Sequence, residues 1–357
     1  MKPIPYRHLL LAILATATPS LDAATFISLD IPGSQLSALS RDGCTAAGGV
    51  LGGDPAGFRW SAHEGAAPLR GAIAVRGLSA SGALAAGSTL DAMQREVAAY
   101  WDAAGAIHRI PPMRDLESVG AISQAHAVSD ELRVVGSAHR FGGGQVAFEW
   151  TAASGMRALA PDDREVETHA LSISDDGHRI AGWERNGERV RPLLWRDGQL
   201  VAGMAGVGAM PGEVLGGSRD AGILVGWLGV RESGAAAVYR GTEVRRLPAD
   251  SAVIRLLASS NDGATLVGDS GGGDNRTAWV WLESEGFVRL TDLLARRHAM
   301  PPSDWRPLAL TALSADGKRL GGWGKHGGNR LDSFIVALGD DDRCGDGAQP
   351  AHPAAAP

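Results

Sequence analysis

The chain has 357 residues, of which 49 are glycine and 10 tryptophan, against 3 tyrosines and 6 phenylalanines. An apolar share of 44% excludes intrinsic disorder. A net charge of −6 without any Lys/Arg block excludes the basic footprint of a nucleic-acid binder and of a protein drawn to anionic lipid. Such a length, with many glycines and one dominant aromatic type, fits a repeat architecture better than one ordinary domain.

Lys2 and Arg7 precede a short apolar run from Leu9 to Ala15. The run is too short to span a bilayer, and the pattern predicts a signal peptide over 1–24. Cleavage is expected after Ala17 or near Ala23 and Ala24, and a secreted or periplasmic location follows. No later run reaches about 18 apolar residues, so no transmembrane segment is expected in the mature chain.

From residue 25 one unit recurs seven times. A serine precedes a glycine by eight in Ser40/Gly48, Ser79/Gly87, Ser174/Gly182, Ser218/Gly226, Ser260/Gly268 and Ser314/Gly322, and by seven in Ser129/Gly136. Successive serines stand 39, 50, 45, 44, 42 and 54 residues apart, the length of a four-stranded propeller blade. A small residue lies two before each serine (Ala38, Gly77, Ala127, Ser172, Gly216, Ala258, Ala312), as a closely approached strand requires. After the serine, Asp-Gly or Ser-Gly pairs such as Asp42-Gly43 and Asp176-Gly177 predict two-residue hairpins, because glycine supplies positive φ. Unit three has Asp130-Glu131 there instead. A third strand carries an aromatic: Trp60, Trp101, Trp150, Trp195, Tyr239, Trp281 and Phe334. One aromatic per unit reads as the packing anchor of each blade.

The expected fold is all-β: a seven-bladed β-propeller of four-stranded antiparallel blades over 25–338. The last unit stops after Phe334 to Leu338, one strand short, and Thr25 to Asp30 supplies a spare strand. An N-terminal strand completing the last blade would leave no free edge. Cys44 and Cys344 are either free thiols or, in an oxidising compartment, a bridge that reinforces the same seam. Two connections are long. Gly105 to Gln124 reads as loop, and Thr291 to His298 as a short helix capped by Thr291. Residues 339–357 read as a flexible tail.

The unit, with an Ile or Leu before the serine, Asp-Gly after it, and then an aromatic-x-Trp strand, resembles the HAF-type extracellular repeat of bacterial secreted proteins. Ala170 to Trp195 and Ala278 to Leu290 are the clearest copies. The resemblance implies a secreted or surface-associated propeller and no established activity.

Residues five before each serine are Gln35, Ala74, Gln124, His169, Glu213, Arg255 and Ala309. On first strands that line a central channel, the polar members would ring one mouth, with Arg76 and His126 facing the same space. Such a set suits a polar or anionic ligand. The first reading is a monomeric binding scaffold for a protein or glycan. The alternative is a hydrolase or lyase using His169, Glu213 and Arg255. Gly268-Asp269-Ser270-Gly271-Gly272 resembles a serine-protease nucleophile loop, but the serine is expected in a variable loop and no His segment precedes it. No His pair has metal-ligand spacing, Asp340 to Gly347 lacks the glutamate of a calcium loop, and no cofactor motif is present.

Overall fold

The computed structural model describes residues 23–339 and 342–344, except 114–118, 161–162, 164, 188, 202–211, 230–233, 242 and 249–253. Nearly all of the expected signal peptide and most of the expected tail lie outside the described residues.

Seven four-stranded antiparallel sheets make a seven-bladed β-propeller. Their first strands are Ser34–Leu39, Ala72–Leu78, Val119–Val128, Val166–Ile173, Gly212–Gly217, Ile254–Ser259 and Trp305–Leu313, which we number as blades 1 to 7. Residues of all seven first strands line one central cavity. The third-strand aromatics are all buried, at 0 to 8% exposure. Trp101 and Trp195 donate their indole N–H groups to the carbonyls of Arg70 and Leu159, so burial costs them no hydrogen bond.

The repeat serine builds the turn after each first strand. In blade 1, Ser40 Oγ donates to Asp42 Oδ1 and accepts the Thr45 N–H, while its carbonyl accepts the Gly43 N–H. Asp42 Oδ1 also takes the Cys44 N–H. Ser174/Asp176, Ser260/Asp262 and Ser314/Asp316 repeat the pattern. Only the fourth residue of these turns is left-handed, as at Gly43 and Gly177. The turn is therefore a type I turn closed by glycine within a four-residue loop, two residues longer than the hairpin expected, because the side chains of Ser and Asp stand in for backbone acceptors. In blade 3, Leu132 takes the left-handed position, and Asp130 instead accepts from Ser81 of blade 2.

Every first strand carries a bulge three residues before its serine, at Ser37, Arg76, His126, Leu171, Leu215, Leu257 and Thr311. The bulge sets the repeat glycine's role. A Cβ on Gly48, Gly87, Gly136, Gly182, Gly226, Gly268 or Gly322 would overlap the carbonyl oxygen of the residue five before the serine. The recurrent glycine is thus a requirement of backbone approach rather than of φ.

The ring closes as expected. Ala24–Ser28 pairs antiparallel with Arg330–Leu338, Ala24 opposite Leu338 and Ser28 opposite Phe334. Phe26 stacks on Phe334 with centroids 5.0 Å apart. Cys44 and Cys344 form a disulfide with Cα atoms 5.3 Å apart.

Two local expectations are corrected. Ile107–Arg109 is a strand that completes blade 2, and Val119–Val128 begins well before Gln124, because blade 2 needs a fourth strand and Val119 is buried. The helix spans Leu290–Arg296 with Arg289 at its N-cap and no side-chain cap bond. Thr291 falls inside it because Leu290, Leu293 and Leu294 must all be buried. Among the described residues no helix is long and apolar enough to cross a membrane.

Candidate functional site

The two ends of the channel differ. At the turn end, the residues following the repeat serines link neighbouring blades: the Arg41 N–H donates to the Ala80 carbonyl, Ala315 to Arg41, Asn261 to Ala315 and Asp175 to Arg219. Across that end, Arg219 of blade 5 reaches the Leu78 carbonyl of blade 2 at 3.1 Å. Asp175 pairs with Arg219 at 3.4 Å and with Arg41 at 3.3 Å. Burial pushes the Asp175 carboxyl up and the two arginines oppose that; burial pushes Arg219 down, against Asp175 and Asp130. These bridges span the channel floor.

Above the floor is a funnel of about 400 Å³. Its wall is set by the seven bulged residues, since a bulge turns its side chain inward. Leu171, Leu215 and Leu257 make blades 4 to 6 apolar there, and Ser37, Arg76, His126 and Thr311 make blades 7 and 1 to 3 polar. His126 Nε2 and Ser172 Oγ are buried without hydrogen-bond partners. Burial, then Arg76, then His169, lower the His126 pKa to about 3, so its imidazole is a neutral acceptor or donor at ordinary pH.

Of the residues five before each serine, Gln35 lines the funnel. Gln124, His169, Glu213 and Arg255 sit at the open end, opposite Ser137, Trp183, Trp227 and Asp269 of the second strands, and the last three turn to those neighbours. Among the described residues no hydrogen bond joins any two of these five. What links His169 to Glu213 is Arg185, 3.4 Å from both Glu167 and Glu213. His169 Nε2 is 3.0 Å from Glu167 and its ring stacks on Trp183, centroids 4.1 Å apart. Burial lowers the His169 pKa, and Glu167 opposes that. Glu213 accepts from Trp227 Nε1 at 3.2 Å. Arg255 belongs to a separate group, bonded with Arg276 to the fully buried Asp269.

Three tryptophans therefore join the site unforeseen. Trp183, Trp227 and Trp323 lie opposite His169, Glu213 and Ala309, and each is half-buried. Trp323 lines the funnel directly. Arginines lie over two of them: Arg185 is 5.0 Å from the Trp183 ring and Arg276 is 5.3 Å from Trp323. A signal was present, because each of these tryptophans follows the repeat glycine directly, as Gly182-Trp183, Gly226-Trp227 and Gly322-Trp323. Ser270, in the protease-like stretch, ends the strand Thr265–Ser270 rather than lying in a loop. It accepts from Trp279 Nε1 at 2.8 Å.

No family model matches the chain, and no curated protein matches it. Among solved structures, an oligogalacturonate lyase in complex with manganese superposes with a TM-score of 0.60 at 14% identity, over 89% of this chain and 95% of that one. An oligogalacturonate lyase from Vibrio parahaemolyticus gives 0.56 at 9% identity, over 90% and 93%. A puromycin hydrolase mutant gives 0.52 at 16% identity, over 83% of this chain and 51% of that one. At such identities the likeness is one of fold.

Proposed function

We propose that this chain is an extracytoplasmic carbohydrate-binding propeller of the HAF-type repeat class, which takes a glycan at the open mouth of its funnel. The observation that carries this reading is half-buried Trp323 lining the funnel, with half-buried Trp183 and Trp227 at the same second-strand position in blades 4 and 5. Flat aromatic faces suit the C–H faces of a sugar ring, and the charged side chains between them suit its hydroxyls. The unpartnered His126 Nε2 and Ser172 Oγ add polar contacts deeper in the funnel. Arg76, Arg185 and Arg255 make acidic oligosaccharides the first class to test, oligogalacturonates among them. The disulfide supports an oxidising compartment, in keeping with the charged-then-apolar start of the chain.

A glycan array followed by calorimetry tests the reading. Trp183→Ala and Trp323→Ala are each expected to weaken a glycan hit by about tenfold or more, the equivalent of about 1.4 kcal/mol. A panel of neutral and acidic glycans that gives no binding, or binding that both variants retain in full, refutes it. A second reading, a hydrolase or lyase at the same mouth, is favoured by the His169–Glu167 hydrogen bond. New chain ends released from a bound glycan, and lost in His169→Ala, would establish that reading in its place.

A further inference from the structure

A second cluster lies at the ring seam, at the end of the strands opposite the disulfide. His326, Asp332 and Asp30 each offer one ligand atom, and these atoms lie within 4.8 Å of one another. His326 Nδ1 is 3.1 Å from Asp332 Oδ2. Two ligands of a tetrahedral zinc ion, each bonded at about 2.1 Å, stand about 3.4 Å apart. The His326–Asp332 pair is thus already at ligand spacing, and the exposed Asp30, whose Oδ1 accepts from Ser28 Oγ at 2.7 Å, would draw in to close the site.

The surroundings orient the ligands. Asp332 is fully buried, and its Oδ1 accepts the Ile31 and Ser333 N–H groups at 2.9 and 2.8 Å, which directs Oδ2 at the histidine. His326 Nε2 lies 3.3 Å from Asp304 Oδ2. With its proton on Nε2, the ring presents the Nδ1 lone pair to Asp332 and Asp30. A carboxylate behind a histidine, and backbone donors behind a carboxylate, are the arrangement that positions metal ligands. The histidine ring is held by stacking on Trp305, centroids 4.6 Å apart. Trp305 is 7% exposed, so the ring that His326 stacks on is itself fixed in the core. Arg330, half exposed, sits 3.9 Å from Asp332 Oδ2 and 3.5 Å from His326 Nδ1, and is the cation that an ion would displace.

We propose that His326, Asp332 and Asp30 bind a divalent transition cation and that the bound ion ties the closing N-terminal segment to the last blade. One imidazole and two carboxylates suit zinc or manganese. Asp30 follows the closing strand Ala24–Ser28, whereas His326 and Asp332 belong to blade 7, so the ion would cross the seam.

Tag-free protein, stripped with EDTA and dialysed, is titrated with ZnCl₂ and with MnCl₂ by calorimetry and by thermal melts. One ion per chain and a raised Tm are expected. His326→Ala and Asp30→Asn should each lose about tenfold or more in affinity, and Arg330→Ala should gain. Asp332 is left intact, because its carboxylate also holds two backbone N–H groups. Absence of saturable binding of either ion, or binding that survives both His326→Ala and Asp30→Asn, overturns the site. Binding of one ion with no change in Tm overturns its role at the seam.

Discussion

His126 shows how strongly one position in this fold alters a side chain. Its ring faces the funnel from a bulge, and burial with Arg76 and His169 nearby lowers its pKa from 6.5 to about 3. The folded group therefore stays neutral while the unfolded one takes up a proton as the pH falls below 6.5. Stability contributed by neutral His126 is complete above pH 6.5 and is lost progressively toward pH 3. His169 is lowered as well and acts in the same direction. His178, raised by its bond to Asp197, acts in the opposite direction. Carboxylates titrate mostly below about pH 4.5, so the window from there to about 6.5 isolates the histidines. Denaturant midpoints across that window should fall less steeply with acidification in His126→Gln than in wild type. Equal slopes would show that His126 is solvated. That His126 faces the channel was legible from its place three before the repeat serine. That the bulge makes this position the true wall, leaving only Gln35 of the more distant set in the funnel, was not, because a bulge has no composition of its own.

At the level of the strand, the sequence was most legible where a residue type answers a fixed geometric demand. The serine, the aspartate and the third-strand aromatic recur because turn and core recur. The three Gly-Trp pairs escape such a reading, since they break the repeat's average: only three of the seven units have them. Function departs from the repeat in just this way, and periodicity hides it. The recurrent glycine gives a sharp test of the bulged strand pair. A Cβ on Gly48 would overlap the Gln35 carbonyl, whereas one on the adjacent Gly49 would meet only the Ala56 carbonyl at 3.6 Å. Neither glycine has a positive φ. Gly48→Ala should then cost about 2–4 kcal/mol, because two backbones must separate, and Gly49→Ala less than about 0.5 kcal/mol. Similar losses at both positions, measured by denaturant unfolding, would mean that the inner strands are free to part.

For the whole ring, stability rests on how the ends are held. The closing strand pairs five residues with the last blade, and the disulfide joins the turn of blade 1 to the segment after blade 7. The pairing of strands was legible because one unit lacked a strand and another segment was spare. The pairing of cysteines became legible only with the ring, since 300 residues separate them and only closure brings them together. Reduction therefore acts on the whole molecule. In the chain-entropy account, a loop of this length restrains the unfolded chain by about 5 kcal/mol. Cys44→Ser with Cys344→Ser should leave the seven blades folded, with an unchanged far-ultraviolet spectrum, while lowering the unfolding free energy by a few kcal/mol. A propeller is closed on itself, so opening at the seam exposes two strand edges at once. The loss should accordingly appear in the unfolding rate as well as in the equilibrium. A double variant that unfolds as slowly as wild type would show that the strand pairing alone holds the ring, and that the disulfide secures only the chain's end.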